Sequence, residues 1–496
     1  MTPPVPNAGR RLSEMDAAFL YLERREIPLN IGGVGIFDGP VPFDEFVAAI
    51  DSKLHLIPRY RQVVVPPPFN LGHPTWEDYP QFKIRDHIHH VTLPAPGRQA
   101  QLEAFAGSVF SQVMDRAKPL WHTYVVDGLA DSRGAVIVVV HHALADGIAG
   151  MALLKIMFDP TPEASHAITP PPKQKRRAQP ANHSLTAAVA SAIHSSLRNM
   201  VAAEAALLDF ASNLLTDRMQ AGLEGLLGLV PEWAQPVERL PFNKPCGPER
   251  KFCGTEIEFA DVQAVREKLG GTVNDVVVSV VTRAISRYTK YHGHPVENRF
   301  VRILCPVSVR HDSANGGSLG NQITFMPVVL PLGIDDPARL LHAVIKRMEI
   351  MKCARVAELV AIMGAWIGAT LPPLQAVFWE GLALVPLPVP LFNMICTNVP
   401  GSPVPLYAVG RRMLVSYPQV PTGQELGFGI AVQSYAGKMC FGVTADAQAA
   451  PDFERMRDYL QDSFRELCRA AGVRKLRKMA PRKPRPNGPH DTPLVA

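Results

Sequence analysis

Six apolar residues, Ala135-Val136-Ile137-Val138-Val139-Val140, run straight into His141-His142-Ala143-Leu144-Ala145-Asp146-Gly147. Five of the six are β-branched, and such side chains are stiff and suit a pleated strand. A strand apolar on both faces must be covered on both faces. The run therefore predicts a central strand in a layered α/β or α+β domain. Gly147 permits a sharp turn, and the apolar run 148–158 predicts a helix behind it. Neighbours on a strand point to opposite faces. His141 and His142 thus cannot share one cavity; one is expected to be catalytic and the other structural.

The residue types suit proton transfer. A neutral imidazole titrates near physiological pH, so it can take a proton from a hydroxyl and return it to a leaving group. Asp146 is placed to orient His142 directly, or to pair with a distant arginine and shape the loop. Other chemistries find no support. The chain has no HExxH, and His87, His89, His90 and His122 lack metal-ligand spacing, so no metal is expected. It has no GxGxxG or GxxxxGK[ST] phosphate cradle and no GxSxG nucleophile elbow.

Two large blocks flank this motif's linker. Residues 1–158 mix helical periodicity, as in 43–56, with short strands such as 34–37. Residues 159–182 collapse into Pro, Lys, Arg, Thr and Ser, a linker or exposed loop. Residues 184–229 read as one or two amphipathic helices with Ser184 as N-cap, and 231–248 are again proline-rich. The expected division is an N-terminal domain 1–158, a linker and helical crossover 159–250, a C-terminal domain 251–472 and a basic tail 473–496. In the second block, helices are expected at 261–269, 272–291 and 451–471, and strands at 300–306, 324–330 and 438–444. Asn274 and Asp275 lie at a helix start, where they either cap the helix or serve a site.

Charge and cysteines narrow the class. Of the 51 Lys+Arg residues, eleven lie in two runs, 173–177 and 474–485, leaving 40 against 45 Asp+Glu. The body is mildly acidic, which argues against a nucleic-acid binder. Seven cysteines, an odd number with no CxxC pair, indicate no disulfide framework. With no apolar leader visible in the first ten residues, a cytoplasmic location is expected. Residues 357–395 carry only Glu358 and Glu380, but prolines at 372, 373, 386, 388 and 390 interrupt the run. Buried or interfacial helices are expected there rather than a membrane span.

The HHxxxDG string resembles that of the coenzyme A-dependent acyltransferase superfamily. More closely, the chain resembles the bacterial wax ester synthase/acyl-CoA:diacylglycerol acyltransferase family of the mycobacterial type. The motifs occur in order: Leu12-Ser-Glu-Met-Asp-Ala-Ala-Phe19, Trp76-Glu-Asp78, His90-Val-Thr-Leu-Pro-Ala-Pro-Gly97, Pro119-Leu120-Trp121, HHxxxDG, Gly271-Thr-Val-Asn-Asp-Val276, Cys305-Pro-Val-Ser-Val-Arg310, Gly320-Asn321 and Thr397-Asn-Val-Pro-Gly401. The resemblance implies two chloramphenicol acetyltransferase-like domains, each a mixed sheet with flanking helices, joined by a helical crossover around a channel. It implies acyl-CoA and diacylglycerol or a fatty alcohol as substrates and no cofactor. His142 would be the general base without a covalent acyl-enzyme, and His141 its structural support. Asp146 would form a loop-shaping salt bridge with Arg310, with Gly147 at the turn. Asn274 would lie near the oxyanion or the channel floor, Pro119, Leu120 and Trp121 would pack or line the channel, and 397–401 would form a turn at a crossover. Where the family commonly has Met-His before the glycines, this chain has Asn30 and Ile31, a difference expected to bear on substrate preference. A lipid substrate would suit peripheral contact of the basic tail or the 357–395 face with a membrane or lipid droplet.

Overall fold

The structure is a computed structural model that describes residues 11–67, 72–144, 150, 154, 156–163, 185–213, 216–234, 237–308, 323–384 and 390–473. Asp146, Gly147, Ser184, Arg310, Gly320, Asn321 and both basic runs lie outside the described residues.

Helix α1 (Glu14–Leu22) leads into strand β1 (Asn30–Phe37), then α2 (Phe43–Lys53), β2 (Gln62–Val65), β3 (Thr75–Asp78), β4 (Ile88–Thr92), α3 (Gln99–Phe110), β5 (Trp121–Asp127) and β6 (Gly134–His141). Two helices follow, α4 (Leu185–Asn213) and α5 (Asp217–Ala234). The second half comprises β7 (Arg250–Glu258), α6 (Phe259–Leu269), α7 (Val273–Tyr291), β8 (Phe300–Ser308), β9 (Ile323–Pro331), α8 (Pro337–Cys353), α9 (Val356–Ala369), α10 (Pro372–Leu384), β10 (Met394–Val399), β11 (Tyr407–Ala408), β12 (Arg411–Gln419), β13 (Phe428–Tyr435), β14 (Lys438–Asp446) and α11 (Glu454–Ala470).

The strands form two mixed six-stranded sheets, ordered β11-β12-β1-β6-β5-β4 and β7-β14-β13-β10-β8-β9, and a β2-β3 hairpin. Each sheet has its own apolar core. As its apolar run requires, β6 is buried along its whole length between β1 and β5. The first sheet is completed from far along the sequence: β12 crosses from the second half and pairs antiparallel with β1. Residues 407–419 therefore belong to the first sheet although they lie within the second sequence block. The expected turn at 397–401 is corrected as well. Residues 397–399 continue strand β10, because pairing with the parallel strand β13 runs on through Val399 before Pro400 ends it.

The halves also meet where α3 lies on edge strand β7. The Arg250 backbone N–H donates to Ser111 Oγ at 2.7 Å, and Gly254 N–H to Glu103 Oε1 at 3.1 Å. Gly107 lets this helix approach, since a Cβ there would lie 2.7 Å from the Arg250 carbonyl oxygen. The buried Arg250 guanidinium donates to Asp446 Oδ2 at 2.7 Å, to the Glu26 carbonyl at 2.5 Å and to the Thr422 carbonyl at 3.1 Å. It ties three segments from both halves together.

Within the 357–395 stretch, residues up to 384 form α9 and α10, and among the described residues no helix is long and apolar enough to cross a membrane. Helix α4 packs along α9, where Asn199 Nδ2 donates to the Gly368 carbonyl at 3.0 Å. The outer face leaves Met363, Trp366, Leu374, Val377, Phe378 and Leu384 exposed, beside Leu197, Val201 and Leu208 of α4.

Candidate active site

A cavity of about 810 Å³ lies between the two sheets and is lined mainly by apolar side chains from both halves. One wall follows from strand register. Ile31 pairs with Val140, Gly33 with Val138 and Gly35 with Val136, and all six face the cavity. On the other flank Gly33 pairs with Pro418 and Gly35 with Ser416, both also lining it. Period-two alternation puts Ile31, Gly33, Gly35 and Phe37 on one face of β1. The two glycines have no side chains, so a trough runs along the central strand. Its far end is closed where buried Phe37 meets Phe158, ring centroids 5.8 Å apart. At ~3.4 Å per residue the six steps from Ile31 to Phe37 make this trough about 20 Å long.

The histidine pair stands at its near end. His141, the last residue of β6, faces Asn30 across the ladder. As alternation demands, the two rings part. His141 is fully buried, whereas the His142 ring lines the cavity. Helix α1 meets both. Phe19 stacks on His142 with centroids 4.0 Å apart and planes 14° apart. Glu23, one turn on, places Oε1 3.2 Å from His141 Nε2 and Oε2 3.3 Å from an Arg116 Nη. Burial pushes the Glu23 carboxyl up, but the His141 and Arg116 contacts outweigh it and hold the group below the usual carboxylate range. The backbone of the pair is pinned. The His142 N–H donates to the Leu29 carbonyl at 2.8 Å, and the Ala143 N–H donates to His141 Nδ1 at 3.0 Å.

The opposing wall comes from the second half. Asn274, in the first turn of α7, lines the cavity with Thr397, Asn398 and Val399 of β10. Asn398 Nδ2 donates to Asn274 Oδ1 at 3.4 Å. Asp275 has the other fate: its Oδ2 accepts from the Thr272 N–H at 2.7 Å, while its own N–H donates to Thr272 Oγ1 at 3.2 Å. That is a capping box, which satisfies donors the helix start leaves open. Adjacent Asn and Asp thus divide between wall and cap. Cys305 and Cys396 also line the cavity. Burial pushes the Cys305 thiol up to about 12, so neither a thiolate nor nucleophilic sulfur is favoured there.

Pro119, Leu120 and Trp121 are buried packing residues outside the lining. The Trp121 ring lies between Tyr60 and His87, and its Nε1–H donates to the Tyr60 carbonyl at 2.9 Å. It braces Tyr60, which does line the cavity. Ile31 lies on the wall, whereas Asn30 is buried and donates from Nδ2 to the Gln112 carbonyl at 2.5 Å. His87, His89 and His122 gather at the β4-β5 edge, with His89 Nε2 3.0 Å from His122 Nδ1. Burial, and then the neighbouring His87, His89 and Lys118, bring His122 down to about 4. Among the described residues no group of three or more His, Cys, Asp or Glu is arranged to hold a metal ion.

No sequence motif singles out Glu23. Its position directly after the apolar run Ala17–Leu22 is the one signal it offers, and only the fold brings it to His141.

Comparison with known proteins agrees with this geometry. Residues 12–277 match the wax ester synthase/diacylglycerol acyltransferase catalytic domain, and residues 319–468 match the C-terminal domain of the same family. A Mycobacterium tuberculosis (strain CDC 1551) protein named as a diacylglycerol O-acyltransferase is 32% identical over 476 residues, 93% of this chain and 90% of its own. Another from strain H37Rv, similarly named, is 29% identical over 483 residues, 95% of this chain and 98% of its own. Among solved structures, the wax ester synthase/diacylglycerol acyltransferase from Marinobacter aquaeolei VT8 shares the fold with a TM-score of 0.65 at 24% identity, over 93% of this chain and 100% of its own. The first condensation domain of the calcium-dependent antibiotic synthetase shares it with a TM-score of 0.58 at 12% identity, over 94% and 98%. The two mixed sheets with flanking helices are thus the two-domain, chloramphenicol acetyltransferase-like architecture. The chain belongs to the wax ester synthase/diacylglycerol acyltransferase family and is an acyltransferase.

Proposed function

We propose that this acyltransferase moves a long-chain fatty acyl group from acyl-CoA to the hydroxyl of diacylglycerol, giving triacylglycerol, with His142 as general base. The observation that carries the reading is one imidazole of the pair on the wall of a large apolar cavity between the two halves. The His142 ring takes the acceptor's proton as its oxygen attacks the thioester carbonyl. The tetrahedral oxyanion forms against the opposing wall, where Asn274 is the candidate donor. Collapse expels the CoA thiolate, which takes the proton back from the imidazolium, so no acyl-enzyme forms. Acyl-CoA enters as a substrate and free CoA leaves as a product, and no cofactor is invoked. Asp146 and Arg310 are assigned the loop-shaping salt bridge, with Gly147 at the turn and His141 in support.

A fatty alcohol is the competing acceptor, favoured by the name of the Marinobacter structure. The test supplies purified protein with labelled palmitoyl-CoA and dioleoylglycerol, hexadecanol or no acceptor, alongside His142→Ala. Triacylglycerol from wild type and its loss in the variant is expected. Equal product from both would overturn the general-base assignment. Ester from hexadecanol alone would make the enzyme a wax ester synthase, and no turnover with either acceptor would leave a lipid-binding protein.

The exposed apolar side chains of α4, α9 and α10 support peripheral contact with a lipid surface. Helix α10 also supplies Leu382 to the cavity wall, so the helix that bears part of this face reaches the cavity. Leu374→Ser with Phe378→Ser is expected to weaken binding to phosphatidylcholine vesicles; undiminished binding would exclude this face.

A further inference from the structure

We propose that Glu23 is a positioning residue for the acyl transfer, acting on His142 through His141; this rests on His142 being the base. Ser13 caps α1, its Oγ accepting from the Asp16 N–H at 3.1 Å. Residues four apart share a helix face. That spacing places Phe19 under the His142 ring and Glu23 beside the His141 ring.

The carboxylate is fully buried, which costs heavily unless the charge has partners. It has three: Arg116 at 3.3 Å, His141 Nε2 at 3.2 Å and the Leu29 N–H at 3.5 Å. His141 Nδ1 accepts from the Ala143 N–H. In the neutral ring the proton is therefore on Nε2, which faces the carboxylate. The Ala143 N–H thus selects the tautomer of His141, and the Glu23 carboxylate stands where it favours that Nε2 proton and the tilt of the ring. His141 in turn holds Ala143, the residue directly after the base. The residue before the turn is held too, because the Leu29 carbonyl takes the His142 N–H while the Leu29 N–H faces Glu23. The backbone on both sides of His142 is fastened to groups that Glu23 orders. A carboxylate that touches no substrate thereby governs where the base points.

The experiment is a double-mutant cycle with Glu23→Gln and His141→Asn, measured on whichever acceptor the wild type uses. Gln keeps an acceptor but loses the charge that attracts the Nε2 proton. Asn keeps an acceptor for the Ala143 N–H but loses the donor toward Glu23. Each single change is expected to lower kcat on the order of 10- to 100-fold, as small misplacements of a catalytic group do. KM for acyl-CoA should stay within about twofold of wild type, because no substrate contact is removed. The double variant should be no slower than the worse single one. A merely structural role would be expected to shift the melting temperature and leave kcat per folded molecule unchanged. Multiplying losses in the double variant would overturn the proposal. If Glu23→Gln does not fold, His141→Asn alone decides it: wild-type kcat there refutes action through His141. Loss of activity in His142→Ala together with wild-type kcat in both single variants sinks this proposal alone, while unchanged activity in His142→Ala sinks the base assignment beneath it.

Discussion

Gly35→Val tests whether the trough along β1 holds the apolar chain of a substrate. Gly35 lies between Val136 and Ser416 on the cavity face, two residues short of the Phe37–Phe158 closure. A Cβ there would meet Met413 Cε at 3.1 Å and a Phe37 ring carbon at 3.3 Å, the first being the free end of a flexible side chain. The variant should therefore fold, with the valine methyls occupying the deep end of the trough. Excluding two or three substrate methylenes at about 0.8 kcal/mol each amounts to ~2 kcal/mol, about 30-fold in kcat/KM. The assay compares kcat/KM across acyl-CoAs from octanoyl to stearoyl at fixed acceptor, and across alcohols of the same lengths at fixed acyl-CoA. One of the two series should lose its longest members about 30-fold and keep its shortest. A uniform fall across both series, with melting temperature unchanged, would refute the trough. Gly32→Ala is the contrast. Its Cβ would lie 2.0 Å from the Val138 carbonyl oxygen, which is main chain and cannot swing aside. That variant is expected to lose soluble, folded protein.

Three further outcomes follow from the geometry. Asp446→Asn leaves Arg250 buried without its counter-charge and should cost about 3–5 kcal/mol by urea denaturation; a loss under 1 kcal/mol would mean the contact is not a lock. Thr272→Ala removes one half of the capping box on α7 and should cost about 1 kcal/mol, read as a shift in the urea midpoint with the m-value unchanged. His122 titrates near 4 when folded and near its ordinary value when unfolded, so the unfolded chain takes up a proton first as pH falls. Its contribution is therefore present above about pH 6.5 and is lost between there and pH 4. Wild type should lose more stability than His122→Gln between pH 7.5 and pH 5, and parallel losses would contradict the assignment.

Much of this was legible in the linear chain because strand chemistry is local. The apolar run before His141 required a doubly covered strand, and alternation alone required the two histidines to part. The motif order identified the family, and with it the two-sheet architecture. The Asn274-Asp275 pair was ambiguous on paper, since both readings suit a helix start. Which residue caps was settled by the phase of α7, which turns Asp275 back to Thr272 and Asn274 outward to the cavity. The family resemblance implies a turn at 397–401. The apolar partner β13 instead carries the strand through Val399.

What the sequence by itself determined was a set of local preferences: a buried strand ending in two imidazoles, a capped helix behind the Asn-Asp pair, and broken apolar helices too short to span a bilayer. What only the tertiary structure decided was which distant groups those elements meet. Strand β12 lies some 370 residues beyond β1 in the chain and yet flanks it. Glycines 33 and 35 become a trough only because valines and Pro418 rise on either side. Glu23 becomes the partner of His141 only because α1 packs across the end of β6. Such contacts are long-range closures between segments whose local propensities do not name each other, and burial of the two apolar cores selects them.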